Sequence, residues 1–283
     1  MESLSPTWQA FCARHLGVLK SWTFCGWEHA ESQVWRIEAQ TRTAFLKCHR
    51  RAAKFEQEQN AYSVWLGDLP TPELIASHHD PNALLLSALP GELVQNLTLS
   101  EAQTLQIYEQ AGDFLGRLHR LEVEDKETIA LQDTVATRLE SWLTKVSETV
   151  PRQDIEFVRN HMNEALPYLR DKRRLPCHRD YTARNWLLDG ADFYVIDFEH
   201  AHMDFYLHDL GKQFAEIWRF HPELGEAFLA GYGHKLDDDA RSYLIRVAAF
   251  NALTTIGWAR AHKDKAFEAA GWEQFEHYRS VLG

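Results

Sequence analysis

Between residues 176 and 211, polar side chains capable of chemistry stand close together: His178, Asp180, Asn185, Asp197, Glu199 and Asp209. Residues 186–188 are a short apolar run, Asp189-Gly190 is a turn signal, and residues 193–198 read as a second strand. A hairpin folded about residues 190 and 191 sets Asn185 beside Ile196 and Asp197. Asp180 lies five residues before Asn185, near enough to loop back over the same open end. A carboxamide oxygen and a carboxylate together suit Mg²⁺, a hard cation that takes oxygen ligands. A further carboxylate beside them can accept a proton or orient a hydroxyl. This set fits phosphoryl transfer, where positioning and charge neutralisation supply most of the catalysis.

A second reading starts from the histidines. His178, His200, His202 and His208 surround Asp197, Asp204 and Asp209, and such groups can hold a hydrolytic transition metal. No H-E-x-x-H spacing is present, and this reading leaves the N-terminal features unexplained.

The elements that must carry these residues divide along the chain. Residues 5–17 have helical spacing. Strands are expected at 21–25, 33–39 and 43–48, a helix over 52–66, and strands at 73–77 and 83–86 joined by a turn at 79–82. Character changes near residues 88–92, Ala-Leu-Pro-Gly-Glu, the expected hinge. Ser100 with Gln103 reads as a capping box that opens a helix to about residue 121. Helices are expected over 134–149, 152–170 and most of the chain after 205. The fold class that follows is α+β, with a strand-rich first third and a mainly helical remainder.

Bulk properties narrow the function classes. The 283 residues suffice for one large domain or two lobes. The net charge of -11 argues against a nucleic-acid or anionic-membrane surface as main partner. Cys12, Cys25, Cys48 and Cys177 form no C-x-x-C pair, so neither a zinc ribbon nor a disulfide framework is expected. The first residues lack a basic region followed by an apolar run, and no stretch is apolar enough for a membrane span. A cytoplasmic protein is therefore expected. No Walker A sequence occurs, which excludes a P-loop kinase as the primary reading.

His178-x-Asp180-x-x-x-x-Asn185, followed by Asp197, resembles the catalytic loop and metal aspartate of the protein-kinase-like superfamily. Asp197-Phe198-Glu199 departs from the Asp-Phe-Gly of ordinary protein kinases. With Ile196 before it and Asp209-Leu-Gly-Lys-Gln-Phe214 after it, the segment resembles the aminoglycoside phosphotransferase and choline kinase group. The resemblance implies a bilobal fold: a small antiparallel-sheet lobe over residues 1–88 with one main helix, and a larger helical lobe over 89–283. It implies an ATP-dependent kinase that moves the γ-phosphoryl group to a hydroxyl of a small molecule: an aminoglycoside-like antibiotic, a choline-like amino alcohol or a sugar. Asp180 would then be the catalytic base, Asn185 and Asp197 the Mg²⁺ ligands, and His178 a brace for the loop. Glu199 would sit near metal or acceptor, and Asp209 would bond the catalytic-loop backbone. A protein kinase and an inactive nucleotide-binding pseudokinase are the alternatives.

The same resemblance extends to the nucleotide side. Lys47 closes the apolar run 44–46, as the phosphate-holding lysine of such folds does. Glu56 or Glu58 on the next helix should pair with it, and counting back from Leu69-Pro70 favours Glu58. Residues 26–32 would form the phosphate-covering turn. Only Gly26 of the usual glycines is present, so Ser32 would bond a phosphate. Backbone groups of Ser87, Ala88 and Leu89 would meet the adenine edge. On the acceptor side, Trp218, Phe220, Tyr232, Phe250, Trp258, Trp272 and Tyr278 are either helical core or a cage for a cationic group. Glu199, Asp204 and Glu216 would attract such a cation.

Overall fold

The computed structural model describes residues 3–26 and 32–283. Helix α1 (Pro6–Leu16) opens with proline in its first turn, and its N-cap Ser5 accepts the Trp8 N–H. There follow β1 (Leu19–Phe24), β2 (Ser32–Ala39), β3 (Thr43–His49) and α2 (Ala52–Asn60), which runs on into a π-helical turn, Ala61–Trp65. Strands β4 (Leu74–His79), β5 (Asn82–Ser87) and the two-residue β6 (Glu92–Leu93) come next. Helices α3 (Glu101–His119), α4 (Leu131–Val146) and α5 (Arg152–Ala165) precede the short strand β7 (Leu175–Cys177). The hairpin β8 (Trp186–Asp189) and β9 (Asp192–Val195) leads through β10 (His202–Asp204) to α6 (Leu207–Lys212), α7 (Pro222–Tyr232), α8 (Asp238–His262) and α9 (Lys265–Leu282). Among the described residues no helix is long and apolar enough to cross a membrane.

The main sheet is antiparallel with strand order β1-β2-β3-β5-β4. Its centre is buried on both faces, and strand alternation decides what each face holds. Ala83 and Leu85 of β5, with Ala44 and Leu46 of β3, pack with Cys12 and Leu16 of α1. Leu84 and Leu86 point the other way and pack on Phe55 of α2. Each fully buried Leu or Phe here stabilises the fold by about 1.5–3 kcal/mol. Lys47 lies directly opposite Leu84, so the same parity that buries Leu46 under α1 turns Lys47 toward α2. Ser32 faces His49, and Val34 faces Lys47, across the β2–β3 ladder.

The chain forms two compact units: residues 1–98 with 178–202, and residues 99–177 with 203–283. The strands 186–189 and 192–195 thus belong with the N-terminal sheet residues, joined by β6 into a separate three-stranded sheet, β6-β8-β9. The expected hinge, residues 88–92, lies within the first unit. In the second unit α3 begins with the expected capping box, Ser100 and Gln103 bonding each other's backbone N–H. Helix α8 supplies much of its core, with Tyr243, Leu244, Leu253 and Ile256 buried. Tyr232 and Tyr278 are buried there too, while Phe220 and Trp258 are exposed. The expected strand over 193–198 is shorter: β9 ends at Val195, because Asp197 takes a left-handed backbone that no strand can continue.

Candidate active site

The hairpin forms as its turn signal dictates. Trp186 pairs with Val195 and Asp189 with Asp192, and Gly190 carries the positive φ of 59° that the two-residue turn needs. Beyond the ladder, Ile196 N–H donates to Asn185 C=O at 3.0 Å, which fixes residues 185 and 196 side by side. Asn185 donates through Nδ2 to Asp180 C=O at 2.8 Å and to Asp180 Oδ2 at 3.1 Å. The Asp180 loop therefore closes over the open end of the hairpin, and the Asn185 Oδ1 remains the atom to hold a cation.

His178 is fully buried and lies between the Asp180 loop and the segment that follows β9. Its Nδ1 accepts the Asp180 N–H at 3.2 Å and its Nε2 donates to Ile196 C=O at 3.0 Å. Two backbone groups thus set the neutral tautomer, and the ring ties the Asp180 loop to the Asp197 segment. Arg179 and Asp197 each have φ 68°. Such backbones cost about 1–3 kcal/mol at non-glycine residues and persist where surrounding bonds over-determine them.

Lys47 meets this hairpin from the sheet. Its Nζ lies 2.9 Å from Glu58 Oε2, 2.6 Å from Asp197 Oδ1 and 3.1 Å from Glu199 Oε2. Glu58 is fully buried, one turn along α2 from the core residue Phe55, whereas Glu56 is exposed. Burial pulls the Lys47 pKa down, but Asp197, Glu58 and Glu199 outweigh it and hold the ammonium well above its ordinary value. Burial likewise pushes Glu58 up, and Lys47 and His49 reverse this, leaving the carboxyl below its ordinary value. For Glu199 burial is outweighed by His200 and Lys47, and its carboxyl is also lowered.

Ser32 donates to Glu199 Oε2 at 2.9 Å, and its hydroxyl is 3.2 Å from His49 Nδ1. The phosphate-covering turn expected over 26–32 has its residues 27–31 outside the described residues. At the far edge of the sheet, Ser87 N–H donates to Glu73 C=O and Ala88 N–H to Thr43 C=O. Glu73 N–H is taken by the Ser87 hydroxyl at 2.8 Å, so the Ser87 carbonyl is not needed for that bond. In the second unit, Asp209 is buried with its Oδ2 3.1 Å from His119 Nε2, and His119 Nδ1 is 2.8 Å from the Tyr232 hydroxyl.

A cavity of about 340 Å³ opens among these residues, lined by Gly26, Ser32, Val34, Lys47, Leu93, Asp180, Asn185, Asp197 and Glu199. Arg184 lines it as well, with Nη2 3.0 Å from Asp180 Oδ1. Sequence reasoning passed over Arg184 and His49. The signal for the first was its place inside the loop between Asp180 and Asn185. The signal for the second was two-residue parity with Lys47. The donor set fits a divalent cation: one ammonium, Lys47, stands among three carboxylates, and the atoms that Asn185 and Asp197 could offer a cation are oxygens.

A model of the phosphotransferase enzyme family matches residues 24–244. No curated protein matches the chain. Among solved structures, an ADP-bound aminoglycoside phosphotransferase, APH(2″)-Ib, is 14% identical, with 97% of this chain and 98% of that chain covered and a TM-score of 0.72. A thermostable mutant of aminoglycoside phosphotransferase APH(4)-Ia, in a ternary complex with AMP-PNP and hygromycin B, is 14% identical over 97% and 98%, with a TM-score of 0.74. A spectinomycin phosphotransferase, APH(9)-Ia, bound to ADP and spectinomycin, is 12% identical over 100% and 96%, with a TM-score of 0.64. At these identities the likeness speaks to the fold.

Proposed function

This chain belongs to the phosphotransferase enzyme family, and we propose that it is an ATP-dependent, Mg²⁺-requiring kinase of a small hydroxylated molecule. The observation that carries the reading is the convergence of Lys47, Asp180, Asn185 and Asp197 on one cavity. Lys47, steadied by Glu58, holds the α- and β-phosphates. Ser32 bonds a phosphate oxygen, and the backbone of Ser87 and Leu89 meets the adenine edge. Asn185 Oδ1 and Asp197 would hold Mg²⁺, which would neutralise charge on the phosphates. Asp180 accepts the proton of the acceptor hydroxyl, with His178 fixing its loop. Glu199 positions Lys47.

Within this reading a cationic acceptor is favoured. Asp180 and Glu199 line the same cavity, and the chain carries a net charge of -11. The similar structures named above include complexes with hygromycin B and with spectinomycin. Purified protein with Mg²⁺ and ATP, offered hydroxylated amines, aminoglycosides and sugars in turn, should release ADP with one of these classes. Absence of both ADP release and Mg²⁺-dependent nucleotide binding would sink the reading.

A further inference from the structure

The guanidinium of Arg184 touches the proposed base. Its Nη2 lies 3.0 Å from Asp180 Oδ1 and 3.4 Å from Oδ2. Its main chain is fixed, because the next residue donates its N–H to Thr182 C=O and accepts from Ile196 N–H. Its side chain is 48% exposed, against 14% for Asp180, and reaches the cavity from the solvent side. A pair this exposed contributes little to folding. Charge in the cavity is unevenly shared: Lys47 answers three carboxylates, whereas Asp180 is the one protein acceptor that meets Arg184 among the described residues.

We propose that Arg184 is a further catalytic residue, which leaves Asp180 to bind the non-bridging oxygens of the phosphoryl group in flight. The proposal rests on the phosphoryl-transfer reading given above. In that step the acceptor oxygen bonds to the γ-phosphorus, and its proton passes to the Asp180 carboxylate. The bond from the γ-phosphorus to the bridging oxygen breaks, and its electron pair leaves with ADP. Charge spreads over the three equatorial oxygens, and a planar guanidinium suits two of them at once. Moving the guanidinium from Asp180 to the phosphoryl group places positive charge where negative charge gathers.

The test needs no acceptor. Binding of Mg²⁺ with AMP-PNP, and of Mg²⁺ with ADP with and without aluminium fluoride, is measured by calorimetry for the wild type, Arg184→Met and Arg184→Lys. AMP-PNP affinity should be similar in all three. Aluminium fluoride, which imitates the planar phosphoryl group, should tighten ADP binding in the wild type. That tightening should fall by about 10²–10³-fold in Arg184→Met and by less in Arg184→Lys. Equal tightening in Arg184→Met, or none in the wild type, overturns the proposal. A wild type that binds neither nucleotide overturns the kinase reading beneath it, a separate result.

Discussion

Lys47 and Asp197, 150 residues apart in the chain, meet at 2.6 Å between Nζ and Oδ1. The same ammonium is 2.9 Å from Glu58, which has no exposure. The sheet, helix α2 and the segment after the β8–β9 hairpin thus share one cation, and their proposed tasks in phosphate and metal binding depend on it.

Removing that cation should damage both folding and binding, and the two can be separated. Lys47→Met leaves Glu58 buried without its ammonium partner, which should cost about 3–5 kcal/mol of stability in urea unfolding. Lys47→Met with Glu58→Leu removes the stranded charge, so most of that stability should return. Nucleotide binding should be lost in both variants. A double variant no more stable than the single one would show that the buried charge is not the source of the loss.

The same ion pair sets a pH dependence. The folded Glu58 carboxyl sits below its ordinary value of 4.5, so its contribution is fully present above that value and is lost as pH falls through the lowered one. Lys47 has the opposite sign: its contribution is full below the ordinary 10.5 and is lost as pH rises through the raised value. Stability should therefore be flat through neutral pH as far as this pair is concerned, with an acid decline below about 4.5. Urea midpoints taken stepwise in pH should show a shallower acid decline in Glu58→Gln. An unchanged slope would remove Glu58 from the account.

How much was legible beforehand depends on the distance over which each feature is encoded. Asp180, Asn185 and Asp197 were readable together because a two-residue turn is local, and one turn signal fixes which residues face each other. The Lys47–Glu58 pair was readable because strand parity and the helical repeat each follow from short spacing. The contact of Ser32 with His49 depends on the exact register of β2 on β3, which residue types leave open. Strand β6 has two residues, too few for a period, and pairs with β8 far along the chain. The early end of β9 rests on a positive φ at Asp197, a conformation imposed by its surroundings and unmarked by any glycine.

Gly91 tests that unforeseen third strand. Its φ is 87°, and a Cβ there would lie 2.3 Å from Leu188 C=O. Gly91→Ala must push β6 off β8 or strain the backbone, at a cost of about 1–3 kcal/mol. Leu93 and Gln95 line the cavity just beyond, so the KM for nucleotide should rise as well. Wild-type stability and KM in the variant would mean that β6 tolerates displacement and does not shape the cavity.

Asp197 can be probed without disturbing its backbone. Asparagine tolerates the left-handed region better than alanine and keeps the side-chain shape, so Asp197→Asn should fold normally. Losing one anionic ligand should raise the Mg²⁺ concentration for half-maximal nucleotide binding by at least about tenfold. A Mg²⁺ titration that superimposes on the wild type would rule out the ligand role.

Asp180 carries the sharpest kinetic prediction. Its carboxylate accepts from Asn185 Nδ2 and from Arg184, so an amide in its place keeps the shape but cannot take a proton. Asp180→Asn should lower kcat by about 10²–10⁴-fold, the usual contribution of a general base, with the KM for ATP within a fewfold of the wild type. Because Lys47 and Asp197 are untouched, Mg²⁺-dependent nucleotide binding should survive. Loss of binding together with turnover would assign Asp180 to the nucleotide rather than to the acceptor. Full turnover would leave the hydroxyl to deprotonate without it, and the mechanism would then rest on Lys47, Asn185 and Asp197 alone.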